Sequence, residues 1–125
     1  MANNTPDLIV SGRRIVTPEK TGPADIVVRG DVISEILPLG TAPAGKARVD
    51  AGDLVVMPGL VDTHIHINEP GRTEWEGFET ATQAAAAGGI TTLIDMPLNS
   101  IPVTTSAAAL KVKTEAALGR CWVDC

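Results

Sequence analysis

The sequence predicts an α/β chain in which a small all-β layer, residues 1–57, precedes the first strand–helix units of a parallel sheet, residues 58–125. Three observations predict it. Short β-rich runs alternate with turn residues up to position 57, the pattern changes to strand then helix after Pro58-Gly59, and helix stop and cap residues fall where that alternation needs them. With 125 residues, 44% hydrophobic and 20% charged, the chain has the balance of a globular domain able to bury a core.

The β layer reads as Leu8-Ile9-Val10 closed by Ser11-Gly12, Ile15-Val16 closed by Thr17-Pro18, Ile26-Val27-Val28 closed by Gly30-Asp31, and Val32 to Leu37 closed by Pro38. A further pair, Ala47-Arg48-Val49 and Leu54-Val55-Val56, flanks Asp50-Ala51-Gly52-Asp53 and leads into Pro58-Gly59, the expected domain crossing. Leu60 to Ile67 then reads as a strand. Thr73-Glu74-Trp75-Glu76 has the form of a capping box, and Trp75, Phe78, Thr82 and Ala85 follow at helical spacing. A helix from about 74 to 87 is therefore expected, with Trp75 and Phe78 in the core and Gly88-Gly89 as its stop. Ile90 to Met96 is a second strand. Hydroxyls from Thr104 to Ser106 cap a helix over Ala107 to Leu118, Gly119 ends it, and Arg120 to Cys125 begins a third strand.

Strands alternating with helices at this spacing imply a parallel βαβ sheet. The chain supplies about two and a half such units, whereas a (β/α)8 barrel of the TIM type takes roughly 250 residues. It would therefore cover the first quarter to third of one. An open doubly wound sheet fits the same pattern, and a stop inside a strand signal is unusual for any complete fold.

Charge and composition exclude several classes of partner. The formal net charge is −5 and the ten basic residues are dispersed, so no basic stripe is present to neutralise a phosphate backbone. The start, Met1-Ala2-Asn3-Asn4-Thr5-Pro6, lacks a basic targeting region, and no apolar run approaches eighteen residues. A cytoplasmic address is expected. Cys121 and Cys125 stand in a segment read as extended, which puts their Cα atoms about 13 Å apart at ~3.3 Å per residue. A disulfide tolerates at most about 7 Å, so reduced thiols are expected.

The chemistry concentrates in Val61-Asp62-Thr63-His64-Ile65-His66-Ile67, which contains both histidines of the chain. Side chains alternate along a strand, so Asp62, His64 and His66 are expected on one face and the apolar set on the other. In a barrel the apolar set suits the helix side, which turns three ionisable groups inward, where each unsatisfied polar group would cost ~2 kcal/mol or more. A metal ion satisfies them economically, with His64 and His66 as ligands and Asp62 ligating or orienting the imidazoles. On a half-exposed strand an isolated His-X-His is an ordinary surface feature; its place at the end of a first barrel strand, where barrel sites are built, favours the metal. Asn99 either offers an amide to substrate or forms a turn beside Pro97 and Ser100. Asp95, at the end of the second strand, suits a supporting role or a loop bond. Lys111 and Lys113 fall on a helix and not at a strand end, so neither is assigned a ligand role.

The run Val56 to His66 resembles the opening of the metal-dependent amidohydrolase superfamily. Asn68-Glu69-Pro70-Gly71-Arg72-Thr73-Glu74-Trp75-Glu76-Gly77-Phe78 and the run Ala87 to Ser100 resemble its allantoinase group, and with the β layer the likeness spans nearly all of the chain. The resemblance implies a two-metal site, usually zinc, inside a barrel flanked by a small β-sandwich made from both ends of the chain. His64 and His66 match the first two ligands. A carboxylated lysine, two further histidines and the aspartate that acts as general base belong to later strands in this family, so no catalytic residue is assigned in these 125. Two imidazoles suit zinc, cobalt, nickel or iron alike. Dihydroorotase-like members usually carry an arginine two residues after the second histidine, where it pairs with a substrate carboxylate; Asn68 stands there instead and suits a neutral ring. The implied reaction is hydrolysis of the small cyclic amide allantoin to allantoate, by a homotetramer if the family tendency holds. A dihydropyrimidinase or hydantoinase is the nearest alternative, and a truncated, non-catalytic chain that docks on full-length subunits is the alternative from another class.

Overall fold

In the computed structural model, which describes residues 5–125, the first of two units ends at Pro58 and is built around one strand, β1 (Leu8–Val16). Met1 to Asn4, read above for the lack of a targeting region, lie outside the described residues. Strand β1 pairs antiparallel with β2 (Thr21–Arg29), and β2 pairs antiparallel with β3 (Val32–Pro38). On its other side β1 pairs in parallel with β4 (Ala47–Asp50) and then with β5 (Val55–Val56). Ser11-Gly12, expected as a turn between two strands, lies inside β1. Both edges of the strand are paired there, Ser11 O accepting from Ala51 N at 2.8 Å, and a register shift between Gly12 and Ile15 absorbs the irregularity as a bulge.

Ile9, Ile15 and Val27 form the buried centre of this unit, while Val32, Ile33 and Leu54 stay exposed on the single mixed sheet that the described residues make. Asp25 is fully buried and accepts from the amides of Gly40 at 2.9 Å and Ala42 at 3.0 Å, with Arg48 at 3.8 Å. Burial pushes its carboxyl up, but the Ser11 hydroxyl, the two amides and the Arg48 guanidinium outweigh that and hold it below the usual carboxylate range.

The second unit begins at Gly59. Its strands β6 (Leu60–Ile65) and β7 (Ile90–Asp95) run parallel and are joined through helix α1 (Phe78–Ala87), and helix α2 (Ala107–Ala117) follows β7. Ser106 caps α2, its hydroxyl accepting from Ala109 N at 3.2 Å. The third strand expected over Arg120 to Cys125 shrinks to one parallel bridge, Thr92 with Asp124, because residues 118–120 turn the chain back from α2 before it regains register. No helix among the described residues is long and apolar enough to cross a membrane.

Helix α1 starts four residues later than the capping-box pattern predicts. Thr73 to Glu76 form turns instead, Arg72 N donating to Asn68 O and Trp75 N to Arg72 O. The helix is capped from a distance: Glu69 Oε2 accepts from Phe78 N at 3.0 Å, while Gly77 N donates to Thr80 Oγ1. Gly77 allows this approach, since a Cβ there would lie 2.9 Å from Thr73 Cγ2 and 3.2 Å from Glu69 Oε2. Phe78, Thr82 and Ala85 are buried at the expected spacing. Trp75, expected in the core, lies before the helix and is 62% exposed, with the Arg72 guanidinium 4.8 Å from its ring centre.

Candidate functional site

The end of β6 does not keep the clean two-faced alternation that its sequence predicts. Register shifts between Leu60 and Val61 and between Asp62 and Ile65 turn the strand, so Asp62 and His66 line a cleft of about 340 Å3 together with Ile65 and with Ala84 and Ala85 of α1. His64 and His66 are exposed, and their rings meet edge to face, 5.3 Å between centres. Asp62 turns its Oδ1 to the backbone of His64, accepting from His64 N at 3.1 Å, rather than to either imidazole.

His66 sits one residue beyond β6, and its Nδ1 lies 2.9 Å from Met96 O. A carbonyl oxygen only accepts, so Nδ1 donates this bond, and in the neutral ring that tautomer leaves the Nε2 lone pair free. This is the orientation in which a carbonyl behind an imidazole prepares its other nitrogen for a metal. Among the described residues no group of three or more histidine, cysteine, aspartate or glutamate side chains is close enough to hold an ion. The donor chemistry of the two imidazoles thus fits a metal but fills only part of a coordination shell, since zinc takes four ligands.

The next three residues are bonded almost completely through their backbone. Ile67 N donates to Asp95 Oδ1 at 2.9 Å, Asn68 N donates to Glu76 O at 2.9 Å, and Asn68 O accepts from Arg72 N at 3.2 Å. Asn68 is 7% exposed, and its side-chain Oδ1 is buried with no hydrogen bond among the described residues. The Arg72 guanidinium donates to Asn99 O at 3.1 Å, so Arg72 ties the two asparagine candidates to one loop pair, Asn99 through its backbone. Ile101 N donates to Pro70 O at 2.8 Å, and Gly71, at φ +89°, packs where a Cβ would come within 2.6 Å of Ile101 Cβ.

Lys113, set aside in the sequence as a helix residue, is 5% exposed and reaches this segment. Its ammonium donates to Ile67 O at 2.7 Å and Glu69 O at 2.9 Å, and pairs with Asp95 Oδ2 at 2.9 Å. Arg120 pairs with the buried Glu69 carboxylate. The signal that finds Lys113 is its position four residues after Ala109, the other buried residue of α2, which puts both on the inner face of the helix. Cys121 and Cys125 are exposed and unpaired.

The chain is 52% identical over 119 residues to an allantoinase of Streptomyces avermitilis, covering 94% of this chain and 27% of that protein. It is 50% identical over 119 residues to an allantoinase of Arabidopsis thaliana, covering 92% and 24%. Among solved structures, an L-hydantoinase (dihydropyrimidinase) from Arthrobacter aurescens superposes with a TM-score of 0.84 at 35% identity, over 96% of this chain and 27% of that one. The chain spans about a quarter of the length of the relatives it matches. The amidohydrolase family model matches residues 55–124, and the chain belongs to the amidohydrolase family.

Proposed function

We propose that residues 1–125 form the opening segment of a metal-dependent cyclic amidohydrolase whose substrate is allantoin, opened to allantoate. The observation that carries the reading is the His64–His66 pair with the His66 tautomer fixed by Met96 O, immediately ahead of a buried neutral Asn68. Similarity to allantoinases at 52% and 50% identity supports the substrate, and the likeness to a hydantoinase supports the reaction class.

His64 and His66 would hold the metal, zinc in the first instance, with further ligands and the general base supplied by later parts of a chain as long as those relatives. When bound, the metal would supply Lewis-acid polarisation of a ring carbonyl and a water whose pKa is brought far below that of bulk water, toward neutrality. Asp62 supports the site through the backbone of His64, accepting from its amide. Asn68 offers a neutral ring an amide donor and acceptor, where a cationic side chain would select a carboxylate. Asn99 serves chiefly to anchor its loop through Arg72. The β unit would form one layer of a small β-sandwich whose second layer covers the exposed Val32 and Ile33. A cytoplasmic homotetramer acting in purine breakdown completes the reading.

The test is an assay of the complete protein, either from its own reading frame or with residues 1–125 grafted onto the remainder of the Streptomyces allantoinase. Allantoin, dihydroorotate, hydantoin and a dihydropyrimidine are offered in parallel. Preferential turnover of allantoin is expected, and preference for one of the other three would overturn the substrate assignment.

A further inference from the structure

We propose that Lys113 is a positioning residue for this site: its buried ammonium, paired with Asp95, fixes the Ile67–Glu69 backbone and through it the placement of His66 and Asn68. The inference rests on the amidohydrolase reading above and assigns a role that the histidine motif does not contain.

Two of the ammonium's N–H donors go to Ile67 O at 2.7 Å and Glu69 O at 2.9 Å, and Asp95 Oδ2 stands 2.9 Å from the nitrogen as its counter-charge. The other Asp95 oxygen accepts from Ile67 N at 2.9 Å, so both the amide and the carbonyl of Ile67 end on the same ion pair. Ile67 lies between His66 and Asn68, so the backbone that carries both side chains is tied to that pair. The Phe78 ring, 5.1 Å from the ammonium, closes the remaining side.

A buried ion pair is weak evidence for stability alone, because the cost of taking two charges from water offsets much of their attraction. What distinguishes this pair is where its bonds go. Lys113 stands on α2, yet both carbonyls it holds belong to the loop after β6, 46 and 44 residues earlier, and its counter-ion closes β7. The pair thus joins the end of β6, the end of β7 and α2 at the point where the imidazole leaves the strand.

The test compares the complete protein with Lys113→Met/Asp95→Asn, in which both charges are removed together so that no lone charge stays buried. Metal affinity is measured by competition with a chelator, kcat and KM are measured on allantoin, and amide hydrogen exchange is followed at Ile67, Asn68 and Glu69. The expected result is a metal-free melting temperature near that of the parent, faster exchange confined to residues 67–69, and metal affinity and kcat each lower by about 10–100-fold with KM changed less. Unchanged metal affinity and kcat in a folded variant would overturn the proposal. If the double variant does not fold, Asp95→Asn alone keeps an oxygen for Ile67 N but removes the counter-charge, and equal metal affinity in that variant would overturn it too. A parent that binds no metal and opens no cyclic amide, with exchange still responding at 67–69, would sink the functional reading while leaving the backbone clamp in place.

Discussion

The carboxylate of Glu69 caps a helix that begins nine residues later: Oε2 accepts from Phe78 N at 3.0 Å while Oε1 meets Arg120. One side chain therefore joins the segment after the histidines, the first turn of α1 and the turn after α2. Replacing it by alanine orphans the Phe78 amide and leaves Arg120 without its partner. Loss of a cap is worth about 0.5–2 kcal/mol, and Arg120 is half exposed, so the ion pair adds little to that. Glu69→Ala should lower unfolding free energy by about 1–2 kcal/mol in denaturant titration, with Glu69→Gln intermediate because it keeps an acceptor for the amide.

Trp75 and Phe78 separate two readings of the same sequence stripe. Phe78 is 3% exposed and Trp75 62%, so Phe78→Ala should cost about 3–5 kcal/mol as a large-to-small core change. Trp75→Ala loses only an exposed cation–π contact with Arg72, about 0.5–1 kcal/mol. Equal losses in the two variants would restore the helix start that the capping-box pattern predicts.

The Asp25 carboxyl lies below its ordinary value in the folded chain, the opposing push of burial notwithstanding. A lowered carboxylate contributes stability that is complete above its unfolded value, about 3.9, and that is lost as pH falls through the lower folded value. Stability of the parent should therefore decline in acid below about pH 4. Asp25→Asn should be less stable at pH 7 and show a shallower acid decline; parallel declines in the two proteins would contradict the assignment.

Much of the fold was legible because it rests on local pattern: the Pro58-Gly59 change of period, the Thr82 and Ala85 spacing, and the Ser106 cap all act within one or two turns of chain. What was not legible depends on contacts across long separations. The capping box at Thr73 lost to a carboxylate from Glu69, a turn signal at Ser11-Gly12 lost to pairing on both edges, and Lys113 found its partners 46 and 44 residues away. At the site, the motif names two imidazoles but does not show that Met96 O would meet Nδ1 of His66, since that carbonyl comes from the loop after β7.

Residues 1–125 alone carry two imidazoles and no described cluster of three ligating side chains. A catalytic zinc usually has three protein ligands and a water. The isolated chain should bind zinc weakly and form no allantoate, by equilibrium dialysis with elemental analysis and by a colorimetric assay. Stoichiometric metal with turnover in the isolated chain would show that two histidines suffice.

The most direct measurement is metal content and allantoate formation in the complete protein, with and without His66→Ala. Stoichiometric metal and allantoin turnover in the parent, with both falling by at least about 10-fold in the variant, is the expected result. Full metal content and undiminished turnover after the substitution would contradict the assignment of His66 as a ligand and, with it, the site.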